Sequence, residues 1–494
     1  MTIKSNLAIK VKKHKEKLIL DLFEQWSGSQ ADDIIAMPQS GSYREYYRIF
    51  GSNKTAVGVY NADKKENNAF ISFSKHFIQK GLNVPAIYAE NSDQDIYLQE
   101  DLGDITLFSF LSAVREGKDF PPELLALYKQ VVQDLPVFQV EGGNELDYSV
   151  CYPRDSFDKQ SMMWDLNYFK YYFLKLAKIP FDEQALEEDF QRFSDYLLMA
   201  DRNYFLYRDF QSRNIMVKER KPYYIDYQGG RRGALQYDLA SLLYDSKCDI
   251  PLNVQEILLQ EYMKSLKNHL TFDEEEFLQY YQGYSLIRIM QAMGAYGFRG
   301  FYEKKAHFLQ SIPYALKNLR MILDDLALPV KLPELVTALN RLVDAPQLLK
   351  FKDQKKLKSY LKVTINSFSY KTGLPTDSSG HGGGYVFDCR AIHNPGRYEE
   401  YKSFTGRDKE VIEFLKNEGD MDHFLDNVYS LVDQSVDKYL ERNFSNLMVS
   451  FGCTGGQHRS VYCAERLAER LREKYDVEIE INHIELTRKK FPLV

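Results

Sequence analysis

The 494-residue chain is expected to fold as a bilobal α+β domain followed by a smaller α/β domain. Three observations lead there. Alternating β-type runs and a single helix precede a long region of helical spacing. That region is broken by one stretch, Phe205 to Asp245, in which a loop and a hairpin carry three polar residues, Asp209, Asn214 and Asp226. After a connector rich in Pro and Lys, strand and helix patterns alternate to the C-terminus, as a sheet covered by helices requires.

A chain of this length holds roughly two to four domains, each able to bury a core. Charged residues are 27% and the formal net charge is −6, so no global basic field points to nucleic acid or an anionic membrane. Tyr and Phe number 36 and 31, which fits aromatic cores and fits sugar- or base-facing surfaces equally. Cys151, Cys248, Cys389, Cys453 and Cys463 have no CxxC spacing, and their odd number argues against a disulfide framework. The N-terminus has no continuous apolar run and no stretch of about 18 apolar residues occurs, so a soluble, cytoplasmic protein without membrane partners is expected.

In chain order, residues 7–26 place Leu18, Leu22 and Trp26 with Ile19 and Phe23 at helical spacing, which predicts an amphipathic helix. Two β-rich runs follow, SYREYYRIFG and KTAVGVYN, joined at SNK. Ser40, Gly41 and Ser42 ahead of the first run would let backbone approach nucleotide phosphates, or form an ordinary turn. Residues 66–81 read as a helix ending at Gly81, and Tyr97 to Glu100 as the strand entering a hinge. From Leu107 the pattern is helical almost to Arg320. The boundaries expected are 1–104 for the first lobe, 105–330 for the helical lobe, 331–358 for the linker and 359–494 for the last domain.

Asp209 and Asn214 stand five apart, the spacing of a kinase catalytic loop, where the Asp orients an acceptor hydroxyl and the Asn holds magnesium. IMV and YYI on either side of KERKP read as a hairpin, and Asp226 at its end would hold a second ion. The alternative is that these three residues cap turns. QYDLASLL then reads as a helix starting at Asp238.

SGSYREYYRI, GLNVPAIYAE, LQEDLGD, YRDFQSRNIMV and IDYQGGRRGALQYDLASLL together resemble the aminoglycoside-phosphotransferase-like family of protein-kinase-fold small-molecule kinases. The nearest resemblance is to the anomeric sugar kinases of cell-wall recycling, which act on N-acetylmuramic acid and N-acetylglucosamine. The resemblance implies a protein-kinase-like first domain that uses ATP and Mg2+. It implies Asp209 as base, Asn214 and Asp226 as metal ligands, Glu100 and Leu102 facing adenine, and Asp165, Arg213, Gln228 and Arg232 near the sugar. Two departures stand out. Tyr207 replaces the usual His, and KTAVGVYN has no Lys where one normally meets the nucleotide phosphates. Lys54, Lys64 and Lys65 lie nearby in sequence, and Arg44 or Arg48 would be the substitutes.

Beyond the connector, YLKVTINSFSYK, YVFDCRAI, NLMVSFGCTGG and EIEINHIEL read as strands separated by helices at 409–417, 421–441 and 459–474, which predicts a partly parallel sheet. GCTGGQHRSV at 452–461 is a strand, a glycine turn and a helix start. It forms an anion cradle from backbone amides, His458 and Arg459, or a turn whose glycines only satisfy positive φ. The interval from Cys453 to Arg459 also fits a cysteine-phosphatase loop. INSFSYKTGLP, VFDCRAIHNPGR, FTGRDKEV and GCTGGQHRSV, in that order, resemble the C-terminal domain of the RNase adapter protein RapZ. That resemblance implies sensing of glucosamine 6-phosphate and binding of small regulatory RNA. It places Ser367, Lys371, Asp388, Arg390, Asn394, Arg397, Thr405, Gly406, Asp408, Thr454, Gly455, Gly456, His458 and Arg459 around the phosphosugar. DSSGHGGG at 377–384 is longer than the resemblance leads one to expect. The basic residues Arg488, Lys489 and Lys490 and those at 355–358 are either RNA contacts or a solvated face, and His381 has no metal-ligand spacing.

The joint expectation is an ATP-dependent kinase of an amino sugar with a phosphosugar-binding regulatory domain. The alternative is a weakly catalytic or non-catalytic nucleotide and phosphosugar sensor that binds RNA.

Overall fold

A computed structural model describes residues 2–37, 44–115, 117, 119–349, 351, 361–377, 384–417, 419–441, 444–475 and 477–490. Ser40, Gly41, Ser42, His381 and the basic run at 355–358 lie outside the described residues. The chain divides into two compact units, Met1–Lys352 and Asp353–Val494.

The first unit begins with helix α1 (Thr2–Ser27) and a five-stranded sheet. Its strands are β1 (Asp33–Ala36), β2 (Glu45–Phe50), β3 (Thr55–Tyr60), β4 (Ile87–Asn91) and β5 (Ile96–Gln99), in the order β1-β2-β3-β5-β4. Every neighbouring pair is antiparallel. Alternation along the strands divides the apolar side chains between two faces. Tyr47, Ile49, Ala56 and Leu98 pack against Ile19, Leu22 and Phe23 of α1. The α1 backbone comes close because β3 has a glycine there: a Cβ on Gly58 would stand 2.3 Å from the Ile19 side chain. On the opposite face Val57, Val59 and Tyr97 join Phe70, Phe73 and Phe77 of α2 (Lys64–Gln79) in a second core. Asp63 caps α2, accepting from the Lys65 and Glu66 amides at 3.1 Å each, and Gly81 leaves the helix with φ +77°.

The helical part follows. The Pro122–Pro136 and Leu252–Leu266 helices pack together, and the Glu274–Tyr296 helix is buried on most of its circumference. Two short sheets interrupt it: β6 (Tyr204–Leu206) pairs with β9 (Arg231–Gly233), and β7 (Ile215–Lys218) with β8 (Lys221–Tyr224). The β7–β8 turn holds Glu219 and Arg220 at φ 52° and 62°, the paired positive φ of a tight hairpin turn.

The stretch read as a connector with one short helix holds two. Pro333–Val343 and Pro346–Leu349 are helices, and Leu335, Leu339, Leu342 and Leu348 are buried with Phe190, Leu197 and Leu319. Pro333 and Pro346 stand at helix N-terminal positions, where a missing N–H costs nothing.

The second unit is built on β10 (Lys362–Ser369), β11 (Gly384–Asp388), β12 (Asn446–Cys453) and β13 (Glu478–His483), in the order β11-β12-β10-β13. All pairs are parallel, where sequence alternation led us to expect a partly parallel sheet. Each strand returns through helical or long connections, and no hairpin joins two of them. Val363, Ile365, Val449 and Phe451 pack against helices Gly419–Glu441 and Arg459–Lys474. No described helix is long and apolar enough to cross a membrane.

Candidate active site

The loop after β6 is held in a conformation its residues would not choose. Arg208 has φ 80°, a strained region for a non-glycine residue. What fixes it is Asp238, fully buried, whose carboxylate accepts the Tyr207 amide at 2.7 Å and the Arg208 amide at 2.9 Å. The helix carrying Asp238 begins at Gln236, two residues earlier than expected, and the carboxylate serves the loop instead of capping that helix. Tyr207, in place of the usual His, donates its hydroxyl to the Ile225 carbonyl at 2.7 Å and ties the loop to the end of the hairpin.

Asp209, Asn214 and Asp226 come together on this frame. Asn214 donates from Nδ2 to the Asp209 carbonyl at 2.9 Å and to Asp226 Oδ2 at 3.2 Å. Asp226 has φ 71°, and its Oδ1 accepts from Gln228 Nε2 at 2.7 Å. Desolvation and then the Asp209 carboxylate push the Asp226 carboxyl up to about 6, although one edge stays open to solvent. A carboxylate crowded by another carboxylate is what a divalent cation relieves, and carboxylate and amide oxygens suit Mg2+. The donor set therefore fits that ion. Among the described residues no larger His, Cys, Asp and Glu cluster is placed to hold a metal.

The sheet side contributes residues that sequence reasoning named only in part. Arg44 is nearly fully buried and lies 3.1 Å from Glu66 and 4.0 Å from Asp226. Gln228 also reaches Glu66, at 3.4 Å. Gln228 thus stands on the Asp226 carboxylate and α2, where the resemblance placed it near the sugar. Glu100 pairs with Lys218 at 2.7 Å, and Leu102 is buried beside it in the chain.

Asp165 is also buried, held by Arg208 at 2.7 Å, while Arg208 donates to the Tyr237 hydroxyl at 2.7 Å. The other Asp165 oxygen has no protein partner. Arg213 is exposed over the Phe108 ring, and Arg232 stacks on Tyr148 at 4.1 Å. Sequence reasoning missed Glu66, Arg208, Tyr237 and Asp238 as parts of this site. Their signal was faint, because each lies outside the loop motif or was assigned a local role.

In the second unit the C-terminal ends of the parallel strands meet, the edge where such sheets bind ligands. Tyr370 donates its amide to the Cys453 carbonyl at 3.1 Å, and Ser369 donates to the Thr454 carbonyl at 2.7 Å. Thr454 and Gly455 are exposed at the tip. Arg459 donates to the carbonyls of Arg390 and Ile392, and His458 Nε2 donates to Tyr401, so both brace neighbouring loops. Asp388 pairs with Arg390, which lies over the Tyr370 ring. Asp408 accepts from the Thr405 amide and hydroxyl, and Gly406 donates to Gln457 at 2.9 Å. Asn394 caps Gly396, while Lys371 and Arg397 are exposed.

Ser367 is the residue the structure removes from this edge. It is fully buried on the helix-covered face, 2.8 Å from His483 Nδ1, and His483 in turn meets Glu465 at 3.1 Å. Cys453 is buried, accepts the Gly456 amide at 3.2 Å and lies 3.1 Å from Ser460 Oγ. With Arg459 turned to main-chain carbonyls, this supports a structural thiol over a phosphatase nucleophile. Arg488, read either as an RNA contact or as part of a solvated face, pairs with Glu485.

Residues 361–487 match the family described as the RapZ C-terminal domain. Relatives named nucleotide-binding protein include one from Hahella chejuensis, 37% identical over 128 residues, 26% of this chain and 43% of the relative. Another, from Fervidobacterium nodosum, is 36% identical over 141 residues, 28% of this chain and 48% of the relative. The chain thus spans under half the length of these relatives. Similar solved structures include choline kinase LicA from Streptococcus pneumoniae, with 16% identity, TM-score 0.40 and coverage of 63% of this chain and 99% of that one. ADP-bound aminoglycoside phosphotransferase APH(2'')-Ib has 13% identity, TM-score 0.41 and coverage of 67% and 98%. The chain thus carries, at residues 361–487, a region that matches the RapZ C-terminal domain family, after an α+β unit in which Asp209, Asn214 and Asp226 converge.

Proposed function

We propose that the first unit is an ATP- and Mg2+-dependent phosphotransferase whose acceptor is an amino sugar, with the anomeric hydroxyl of N-acetylmuramic acid or N-acetylglucosamine as the group phosphorylated. The observation that carries this reading is the convergence of Asp209, Asn214 and Asp226 on a strained, buried frame. In this reading Asp209 accepts the hydroxyl proton as the acceptor oxygen attacks the terminal phosphorus of ATP, and the bond to the bridging oxygen breaks with ADP as the leaving group. Asn214 and Asp226 would hold Mg2+, which supplies charge neutralisation on the phosphate oxygens. Gln228 orients Asp226, and Asp238 keeps the loop from rearranging. Asp165, fixed by Arg208 and with one oxygen unmatched, accepts a sugar hydroxyl. The second unit binds a phosphorylated amino sugar at its strand ends and reports on flux, in a cytoplasmic setting. The resemblances of the two units point independently to amino-sugar phosphates, which supports the choice of acceptor.

A transfer assay with radiolabelled ATP across a panel of amino sugars tests this. Labelled product with N-acetylmuramic acid or N-acetylglucosamine is expected, and transfer to none of the panel would exclude the reading. Asp209→Asn should lower kcat by on the order of a hundredfold or more.

One observation favours a second reading, a nucleotide and phosphosugar sensor that binds RNA: strand β3 carries Val57 and Val59 where a lysine would face the phosphates. A gel shift with structured RNA at physiological salt, with and without glucosamine 6-phosphate, distinguishes it.

A further inference from the structure

The residues of β3 facing α2 are Val57 and Val59, both buried beside Phe70 and Tyr97. Phosphoryl transfer still needs a cation against the nucleotide phosphates, so the question is which side chain supplies it. Of the candidates near β3, Arg48 is committed to Asp101 at 2.7 Å and Asp104 at 2.9 Å. Lys54 lies over the Trp26 ring, Lys64 faces Asp95 at 3.5 Å, and Lys65 lies over Tyr152. None of these ion pairs and ring contacts involves Asp226.

Arg44 differs. It immediately precedes β2, and its guanidinium is buried over Phe70, 5.6 Å from the ring centroid. It lies 3.1 Å from Glu66 in the first turn of α2 and 4.0 Å from Asp226. Gln228 closes the ring by donating to Asp226 at 2.7 Å and reaching Glu66 at 3.4 Å. Register places Val59 between Tyr46 and Tyr97, and both tyrosines neighbour Arg44. The guanidinium therefore neighbours the residues that flank Val59 in the sheet.

We propose that Arg44 is the phosphate-contacting cation of the first unit, anchored by Glu66, and that it replaces the absent strand lysine. This rests on the phosphotransferase reading above. A guanidinium suits the task because its planar fork can hold the Glu66 carboxylate on one edge and phosphate oxygens on another, which an ammonium does less well. The pair also makes α2 part of the site, so displacing α2 would withdraw Arg44 from the phosphates.

The test compares ATP with AMP, because only ATP carries the β- and γ-phosphates. Calorimetry on full-length protein with Mg2+ should show Arg44→Ala weakening ATP binding by about tenfold or more while AMP binding stays within about twofold. Arg44→Lys should fall between the two, and Arg44→Ala with Val59→Lys should recover part of the ATP preference. Arg44→Lys and Arg44→Gln carry the same comparison if the alanine variant does not fold. An unchanged ratio of ATP to AMP affinity in the folded variants overturns the assignment and leaves the phosphotransferase reading intact. Absence of ATP binding and of sugar phosphorylation in the wild-type protein overturns both.

Discussion

The carboxylate of Asp238 lies where water does not reach it, and its neighbours are the Tyr207 and Arg208 amides and, at 3.4 Å, Gln139 Nε2. Burial pushes its carboxyl up to about 7, against the pull of these three donors. An unfolded Asp loses its proton near the ordinary value of about 4. Between those values the folded state binds more protons than the unfolded one, so this residue's contribution is full below about 4 and is lost as pH rises through about 7. Asp238→Asn should remove that slope. In urea titrations the stability gap between wild type and Asp238→Asn should narrow from pH 5 to pH 8, and a gap that widens would contradict the shift. At pH 8, where that contribution is gone, the variant should still be less stable by about 1–3 kcal/mol, because an amide presents an N–H to one of two buried donors. Nothing in the sequence around QYDLASLL distinguishes this Asp from a helix cap. Glu66 was hidden for a related reason: its partners Arg44 and Gln228 meet it only through tertiary packing. Asp209, Asn214 and Asp226 were legible because a short loop and a hairpin fix their relation locally.

Among the elements, strands and their connections were legible where chemistry is local, as in GCTGGQHRSV, whose strand ends at Cys453 and whose helix starts at Arg459. The face on which a strand residue lies was less so. Ser367 shares its face with Val363 and Ile365, and the alternation of β10 would have sent it under the helices, but the motif match outweighed it. Residues 326–358 were expected to hold one short helix, and that Pro333–Val343 and Pro346–Leu349 are both helical escaped notice because proline reads as a breaker until it is placed in the first turn. Within the β12–helix loop, two adjacent glycines make contrasting predictions. Gly456 has φ +64°, and a Cβ there would stand 2.4 Å from Glu485 and 3.0 Å from the Ser369 amide. Gly456→Ala should destabilise the second unit by about 1–3 kcal/mol. A Cβ on Gly455 meets nothing within 4 Å, so Gly455→Ala should leave stability within about 0.5 kcal/mol. If the loop cradles a phosphosugar, the same change should weaken glucosamine 6-phosphate binding by calorimetry. Wild-type affinity in Gly455→Ala would move the ligand away from the loop tip.

At the scale of the whole molecule, the two units bury separate cores. Among the described residues, the apolar cluster of the second unit draws only on residues from 361 onwards, and the clusters of the first unit only on residues up to 351. Cooperative unfolding follows the core, so each unit should melt as its own transition. A ligand that binds only the folded form raises the transition of the unit that holds it by RT ln(1 + [L]/Kd), about 2.7 kcal/mol at a hundredfold excess over Kd. In differential scanning calorimetry of the full chain, ADP with Mg2+ should raise one transition and glucosamine 6-phosphate the other. Asp226→Asn should abolish the Mg2+-dependent part of the first shift, since it removes a carboxylate from the donor set. Gly456→Ala should lower only the transition that glucosamine 6-phosphate raises. If both ligands move both transitions equally, the units are energetically coupled, and phosphosugar occupancy of the second would then be felt at Asp209. If each ligand moves only its own transition, communication must come from product passing through solution from one unit to the other.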